Sequence, residues 1–180
     1  MKSLEIVIAG FGGQGILSAG RLVAAAGLIE GNEVSWLPSY GPEMRGGTAN
    51  CSVILSDEPI GSPVLNECDC LIALNVPSLE KFEPMVRPGG WVILDRTLVP
   101  EGPTRTDVHL IAIEASRTAS EMGNMTFAGV ILLGALCAAT NGFCRPSFEK
   151  ALVEILPKSK HFLIPEEMEA FDLGRKFLDL

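Results

Sequence analysis

The chain has 180 residues, 47% of them hydrophobic, enough to bury a core within one domain. Its formal net charge of -8, from 22 acidic and 14 scattered basic residues, excludes the basic footprint of a nucleic-acid binder or of a protein bound to an anionic membrane. Five cysteines leave one unpaired and show no Cys-x-x-Cys spacing, so neither a disulfide scaffold nor a zinc or iron-sulfur ligand set is expected.

Met1-Lys2-Ser3 leads at once into the run Leu4-Glu5-Ile6-Val7-Ile8-Ala9, which predicts a buried strand rather than a leader and a cytoplasmic location. Gly10-Phe11-Gly12-Gly13-Gln14-Gly15 then turns the chain into a helix, whose apolar positions Ile16, Leu17, Leu22, Val23, Ala26 and Leu28 carry it towards Gly31. Residues 33–37 predict a second strand, and residues 48–56 alternate as a half-buried third. Between them lies Ser39-Tyr40-Gly41-Pro42-Glu43-Met44-Arg45-Gly46-Gly47, with the only tyrosine of the chain and both signs of charge. A loop that only reverses the chain needs about two to five residues, so this longer one is expected to contact something.

Residues 70–75 predict a central strand, Pro77-Ser78 opens a short helix towards Phe82, and Arg87-Pro88-Gly89 predicts a turn before a strand at 90–94. A last strand at 108–113 precedes helices at 115–122, 125–140 and 146–156. The apolar stretch 127–139 is shorter than the ~20 residues of a membrane span and, being apolar all round, calls for cover on every side. The order predicts an α/β fold: a mostly parallel sheet with helices on both faces, a Rossmann-like three-layer single domain over 1–180. Residues 158–180 read as an amphipathic tail docked on the core, with a partner subunit as the alternative acceptor. Cys68 and Cys70 share a face if their segment is a strand, and most of the cysteines read as small buried hydrophobes.

Gly10-x-Gly12-x-x-Gly15 matches the dinucleotide fingerprint, because glycines let backbone N–H groups approach an anion at the start of a helix. The fingerprint also wants an acidic residue at the end of the second strand, where this chain has Trp36-Leu37-Pro38, while Glu33 stands at the beginning. A nicotinamide or flavin site, a phosphate-type site and a purely structural turn all remain open. Glu43 and Arg45 pair with each other or face a carboxylate or phosphate, and Tyr40 caps a ligand or anchors the loop. His109 and His161 lack metal-ligand spacing, and no Gly-x-Ser-x-Gly, P-loop or His-Glu-x-x-His motif occurs, so no self-contained catalytic set is expected.

Gly10-x-Gly12-Gly13-Gln14-Gly15, then Ser39-Tyr40-Gly41-Pro42-Glu43-x-Arg45-Gly46-Gly47, then Asn124-Met125 ahead of an apolar helix, resemble in order the gamma subunit of the 2-oxoacid:ferredoxin oxidoreductases. The resemblance implies an assembly that oxidatively decarboxylates a 2-oxoacid, 2-oxoglutarate by preference from the compact chain length, to an acyl-CoA with electrons passed to ferredoxin. Pyruvate or branched-chain 2-oxoacids, and a free-standing dinucleotide-binding oxidoreductase, are the alternatives. Thiamine diphosphate and iron-sulfur clusters are then expected on alpha, beta and delta-type companion subunits, with no cofactor held by this chain alone and no activity in isolation. Gly10, Gly12, Gly13, Gln14 and Gly15 are the expected binding turn. Ser39, Tyr40, Gly41, Pro42, Glu43, Arg45, Gly46, Gly47, Asn124 and Met125 are the expected subunit-junction or coenzyme A loop.

Overall fold

The computed structural model describes residues 3–39 and 48–178, so the centre of the tyrosine-containing loop, Tyr40 to Gly47, lies outside the described residues. The elements are β1 (Ser3–Phe11), α1 (Ile16–Ile29), β2 (Glu33–Ser39), β3 (Thr48–Ser56), β4 (Cys68–Ala73), α2 (Val76–Phe82), β5 (Val86–Asp95) and β6 (His109–Ile113). They are followed by α3 (Ala115–Glu121), α4 (Phe127–Thr140), α5 (Arg145–Ile155) and α6 (Ile164–Arg175), with short 3-10 turns at Glu83–Met85, Lys158–Leu163 and Lys176–Leu178.

The strands form one sheet in the order β2-β3-β1-β4-β5-β6. Four of them, β1, β4, β5 and β6, run parallel, and β3 is antiparallel to both of its neighbours, β1 and β2. The expected mostly parallel α/β sheet is therefore present, with one reversed strand. Because side chains alternate across a strand, β1 divides its residues between two cores. Ile6 and Ile8 join a large cluster with Val23 of α1, Phe127 and Ile131 of α4, Phe148 of α5 and Phe171 of α6. Val7 and Ala9 join a smaller one with Leu71, Val92, Leu94 and, from α2, Leu79 and Phe82. Helices cover both faces, but unequally.

The apolar α4 gets its cover from α6, and the two cross at contact distance through glycines. A Cβ on Gly134 would run into the Phe171 carbonyl, and one on Gly174 into the Ile131 carbonyl. Phe171 then stacks on Phe148 with ring centroids 4.1 Å apart, while the Arg145 guanidinium grips Asp172 through Nε and Nη2 at 2.9 Å. These contacts seat the C-terminal helix on α4 and α5.

Two local readings are corrected. Arg87-Pro88-Gly89 is not a turn ahead of a strand but lies within β5, where Gly89 has φ 76° and the β4–β5 register shifts between Cys68 and Cys70. The two cysteines do not share a face: on either side of that irregularity, Cys70 lies in the large core and Cys68 in the small one. Cys51, Cys68, Cys70 and Cys137 are buried, as small hydrophobes. Burial pushes the thiols of Cys51 and Cys68 up to about 12 and that of Cys137 to about 11, which keeps them protonated and unreactive.

Candidate functional site

The glycine turn follows β1 at the carboxyl edge of the parallel strands, where open α/β sheets bind ligands. Gly13 (φ 93°) and Gly15 (φ 77°) take left-handed conformations that an L side chain resists, and Gly15 is the N-cap of α1. Gly10 is glycine for a steric reason, because a Cβ there would sit 2.6 Å from Gln14 Oε1 and 2.7 Å from Ile16 Cδ1. The α1 N-terminus has no side-chain cap, so its first amides and partial positive charge face outward.

The Gln14 side chain is committed within the fold. Phe11 N donates to its Oε1 at 2.6 Å, and its Nε2 donates to the Leu74 carbonyl at 3.3 Å. Gln14 thereby ties the turn after β1 to the end of β4, and is a positioning residue for the glycine amides.

A cavity of about 850 Å³ opens beside the turn, lined by Gly13, Gln14 and Gly15, by Leu74 after β4, by Thr97 and Leu98 after β5, and by Ser116 and Arg117 of α3. Met125, Thr126 and Ala128 close it at the start of α4. Asp95, fully buried at the end of β5, builds the far wall: its Oδ1 accepts from Thr97 N at 3.1 Å, and its Oδ2 accepts from Ser116 N at 3.1 Å and from Ser116 Oγ. Asn124 Oδ1 accepts from Thr126 N at 3.1 Å and Thr126 Oγ1 at 2.7 Å, fixing the entry to α4. Arg117 is exposed and shared between Glu114 and Glu121 at 3.2 Å each, pairs weak enough to yield to a ligand anion.

The fold brings the glycine turn, the two ends of the tyrosine-containing loop and Asn124-Met125 to one edge. Phe11 pairs with Thr48 and Ser39 with Asn50, so the tyrosine-containing loop leaves and re-enters the sheet beside the glycine turn. Asn124 and Met125 stand on the same rim. Asp95, Thr97, Ser116 and Arg117 were missed by sequence reasoning; the one available signal was an aspartate closing an apolar strand just where such strands present ligand contacts. His109 stacks against Trp91 at 4.7 Å, and His161 Nε2 lies 3.0 Å from the Leu156 carbonyl, so neither faces this cavity.

Topology also weighs on the fingerprint. The strand after α1 does not pair with β1: β3 intervenes, reversed. The strand after α1, from which the fingerprint draws its ribose-binding carboxylate, is therefore one strand removed from β1.

The described residues form an α/β sheet with a glycine-lined crevice and an uncapped helix start at its carboxyl edge, where folds of this class bind ligands. The chain belongs to the pyruvate ferredoxin/flavodoxin oxidoreductase family, whose sequence pattern matches residues 5–177, and is of its gamma type. It is 40% identical over 152 residues to the ketoisovalerate oxidoreductase subunit VorA of Methanothermobacter marburgensis, covering 84% of this chain and 32% of that one. The 2-oxoglutarate synthase subunit KorC of Methanocaldococcus jannaschii is 38% identical over 157 residues, covering 86% of this chain and 84% of its own. This chain thus spans about a third of the ketoisovalerate relative but most of the 2-oxoglutarate one. Among solved structures it superimposes on a keto/oxoacid ferredoxin oxidoreductase gamma subunit from Geobacter sulfurreducens, with TM-score 0.83, 29% identity, and coverage of 98% of this chain and 99% of that one. It also superimposes on 2-oxoglutarate:ferredoxin oxidoreductase from Magnetococcus marinus, solved with 2-oxoglutarate, coenzyme A and succinyl-CoA, with TM-score 0.86, 28% identity, and coverage of 99% of this chain and 31% of that one. Among the described residues no helix is long and apolar enough to cross a membrane.

Proposed function

We propose that this chain is the gamma subunit of a 2-oxoacid:ferredoxin oxidoreductase acting on 2-oxoglutarate, and that its carboxyl-edge crevice engages coenzyme A at the junction with companion subunits. The observation that carries the reading is the crevice itself: a cavity of about 850 Å³ flanked by the amides of the glycine turn at an uncapped 14-residue helix. Backbone N–H groups at a helix start suit a pyrophosphate, and Arg117 on the opposite wall supplies a mobile cation. The described residues do not suit an iron-sulfur cluster, since no group of three potential metal ligands is present among them. Clusters and thiamine diphosphate fall to companion alpha, beta and delta-type chains, with ferredoxin as acceptor. The preference for 2-oxoglutarate is supported by the KorC relatives, which this chain matches at 38% and 33% identity over 84% and 96% of their own length.

The test is anaerobic co-purification of the tagged chain with its companions, followed by coenzyme A-dependent dye reduction with a panel of 2-oxoacids. Turnover on 2-oxoglutarate above pyruvate and 2-oxoisovalerate, with an Arg117→Ala variant raising the KM for coenzyme A several-fold, is the expected result. Preference for another 2-oxoacid corrects the substrate, an unchanged KM removes the crevice from coenzyme binding, and a chain recovered without companions overturns the reading.

A further inference from the structure

The crevice holds two features that recognise anions, and they stand on different walls. The amides of the glycine turn lie at the start of α1, whereas Arg117 lines the far side from α3. Strand order sets the two apart. The glycine turn leaves β1 and α3 follows β6, three places along the sheet past β4 and β5, roughly 14 Å at the usual spacing of neighbouring strands. A pyrophosphate seated on the glycine amides covers only the near part of that span, so the two features suit two separate anionic groups joined by a spacer. Arg117 is free to serve one of them: its side chain is 64% exposed, and its pairs with Glu114 and Glu121 are surface contacts of small worth.

Between the walls the lining turns apolar, with Leu74, Leu98 and Ala128, which suits a flat ring rather than a charge. Ser116 adds a polar group of definite sense. Its Oγ donates to Asp95 Oδ2, where its amide also donates at 3.1 Å, so the hydroxyl oxygen is left only to accept. Ser116 lines the crevice next to Arg117. An acceptor beside a cation fits a ribose that carries one free hydroxyl and one phosphate.

We propose that Arg117 binds the 3′-phosphate of coenzyme A and so sets the specificity of the crevice for this coenzyme, with Ser116 Oγ accepting from the adjacent 2′-hydroxyl and the glycine turn holding the pyrophosphate. This deepens the reading of the crevice as a coenzyme A site and rests on it. A guanidinium meets a terminal phosphate through two parallel N–H···O bonds, a match that the point charge of a lysine lacks. Glu121 also lines the crevice, and it opposes the phosphate by competing for Arg117 at 3.2 Å and by adding like charge.

The test uses the assembled complex, with KM measured for coenzyme A and for 3′-dephospho-coenzyme A in dye reduction driven by the 2-oxoacid it turns over best. The unaltered complex is expected to favour coenzyme A by about tenfold or more in KM, the scale of a hydrogen bond to a charged group. Arg117→Ala is expected to bring the two KM values together by raising that for coenzyme A, and Arg117→Lys to restore part of the difference. Glu121→Gln is expected to widen the difference several-fold, a gain that damage to the wall would not produce. An unaltered complex that does not discriminate overturns the proposal, as do two KM values that rise by the same factor in Arg117→Ala; either result keeps coenzyme A in the crevice. Neither KM responding to Arg117→Ala removes the crevice from coenzyme binding and the proposal with it. If Arg117→Ala fails to join the complex, Glu121→Gln decides, and an unchanged or narrower difference overturns the proposal.

Discussion

Cys144 is the one exposed thiol of the five, standing at the N-cap of α5 with its amide donating to Glu30 Oε1 at 2.9 Å. In the native chain an aromatic disulfide reagent is expected to titrate one thiol quickly and the other four only on unfolding; two or more fast thiols would contradict the burial described. Glu167 gives a pH dependence of definite sign. Burial raises its pKa above the ordinary 4.5 despite the opposing field of Lys160, so the folded chain keeps a proton that the unfolded chain has released. Stability falls as pH rises from the unfolded value through the folded one. Glu167→Gln is therefore expected to raise the denaturation midpoint at about pH 7.5 and to leave it unchanged at about pH 4. Equal gains at both pH values would show that the carboxyl is not desolvated. Some of these residues were legible in the sequence: Gly10, Gly13 and Gly15 stand where a strand turns into a helix, and the fold explains each of them. Gln14 was legible as a member of the motif but not in its role, because its partner Leu74 is sixty positions away.

Helix α4 makes the contrast between two glycines at the scale of an element. At Gly134 a methyl group would be driven into the backbone of α6, so Gly134→Ala is expected to cost about 2–3 kcal/mol by forcing the crossing apart. At Gly129 the methyl meets open space, and Gly129→Ala is expected to gain about 0.5–1 kcal/mol from helix propensity alone. Urea denaturation of the two variants checks this, and the same sign for both would refute the packing account. The element boundaries followed from periodicity and glycine punctuation, and β3 and the start of α3 fell where expected. The reading failed at residues 87–89, because proline and glycine signal a turn locally, whereas pairing with β4 absorbs them into β5 as an irregular stretch.

Across the whole molecule, exposed apolar side chains gather on the carboxyl edge: Phe11 after β1, Val76 after β4, Leu98 after β5 and Met125 before α4. Leu98 and Met125 line the crevice, and Phe11 pairs with Thr48 where the tyrosine-containing loop rejoins the sheet. A rim of this kind suits burial against other chains. Met125→Glu is expected to leave the melting temperature of the isolated chain within about 2 °C of the parent while abolishing co-purification with companions, as a surface change away from the core should. A large loss of stability would instead place Met125 in the internal packing. The reversed β3 matters at this scale as well: it sets β2, the strand that follows α1, apart from β1, so β2 does not stand beside the glycine turn as the dinucleotide fingerprint requires.

The sequence by itself determined most of the elements and the family, because hydrophobic period, turn chemistry and short motifs are properties of neighbouring residues. It also showed three motifs far apart in the chain without showing that they meet. Only the tertiary structure decided that the glycine turn, the ends of the tyrosine-containing loop and Asn124-Met125 come to one edge, that β3 is threaded backwards between β1 and β2, that Cys68 and Cys70 face opposite cores, and that Glu167 is largely buried in a groove it shares with Lys160. Each of these depends on which distant segments pack together, and burial, register and charge compensation are set by that packing rather than by any local stretch of residues.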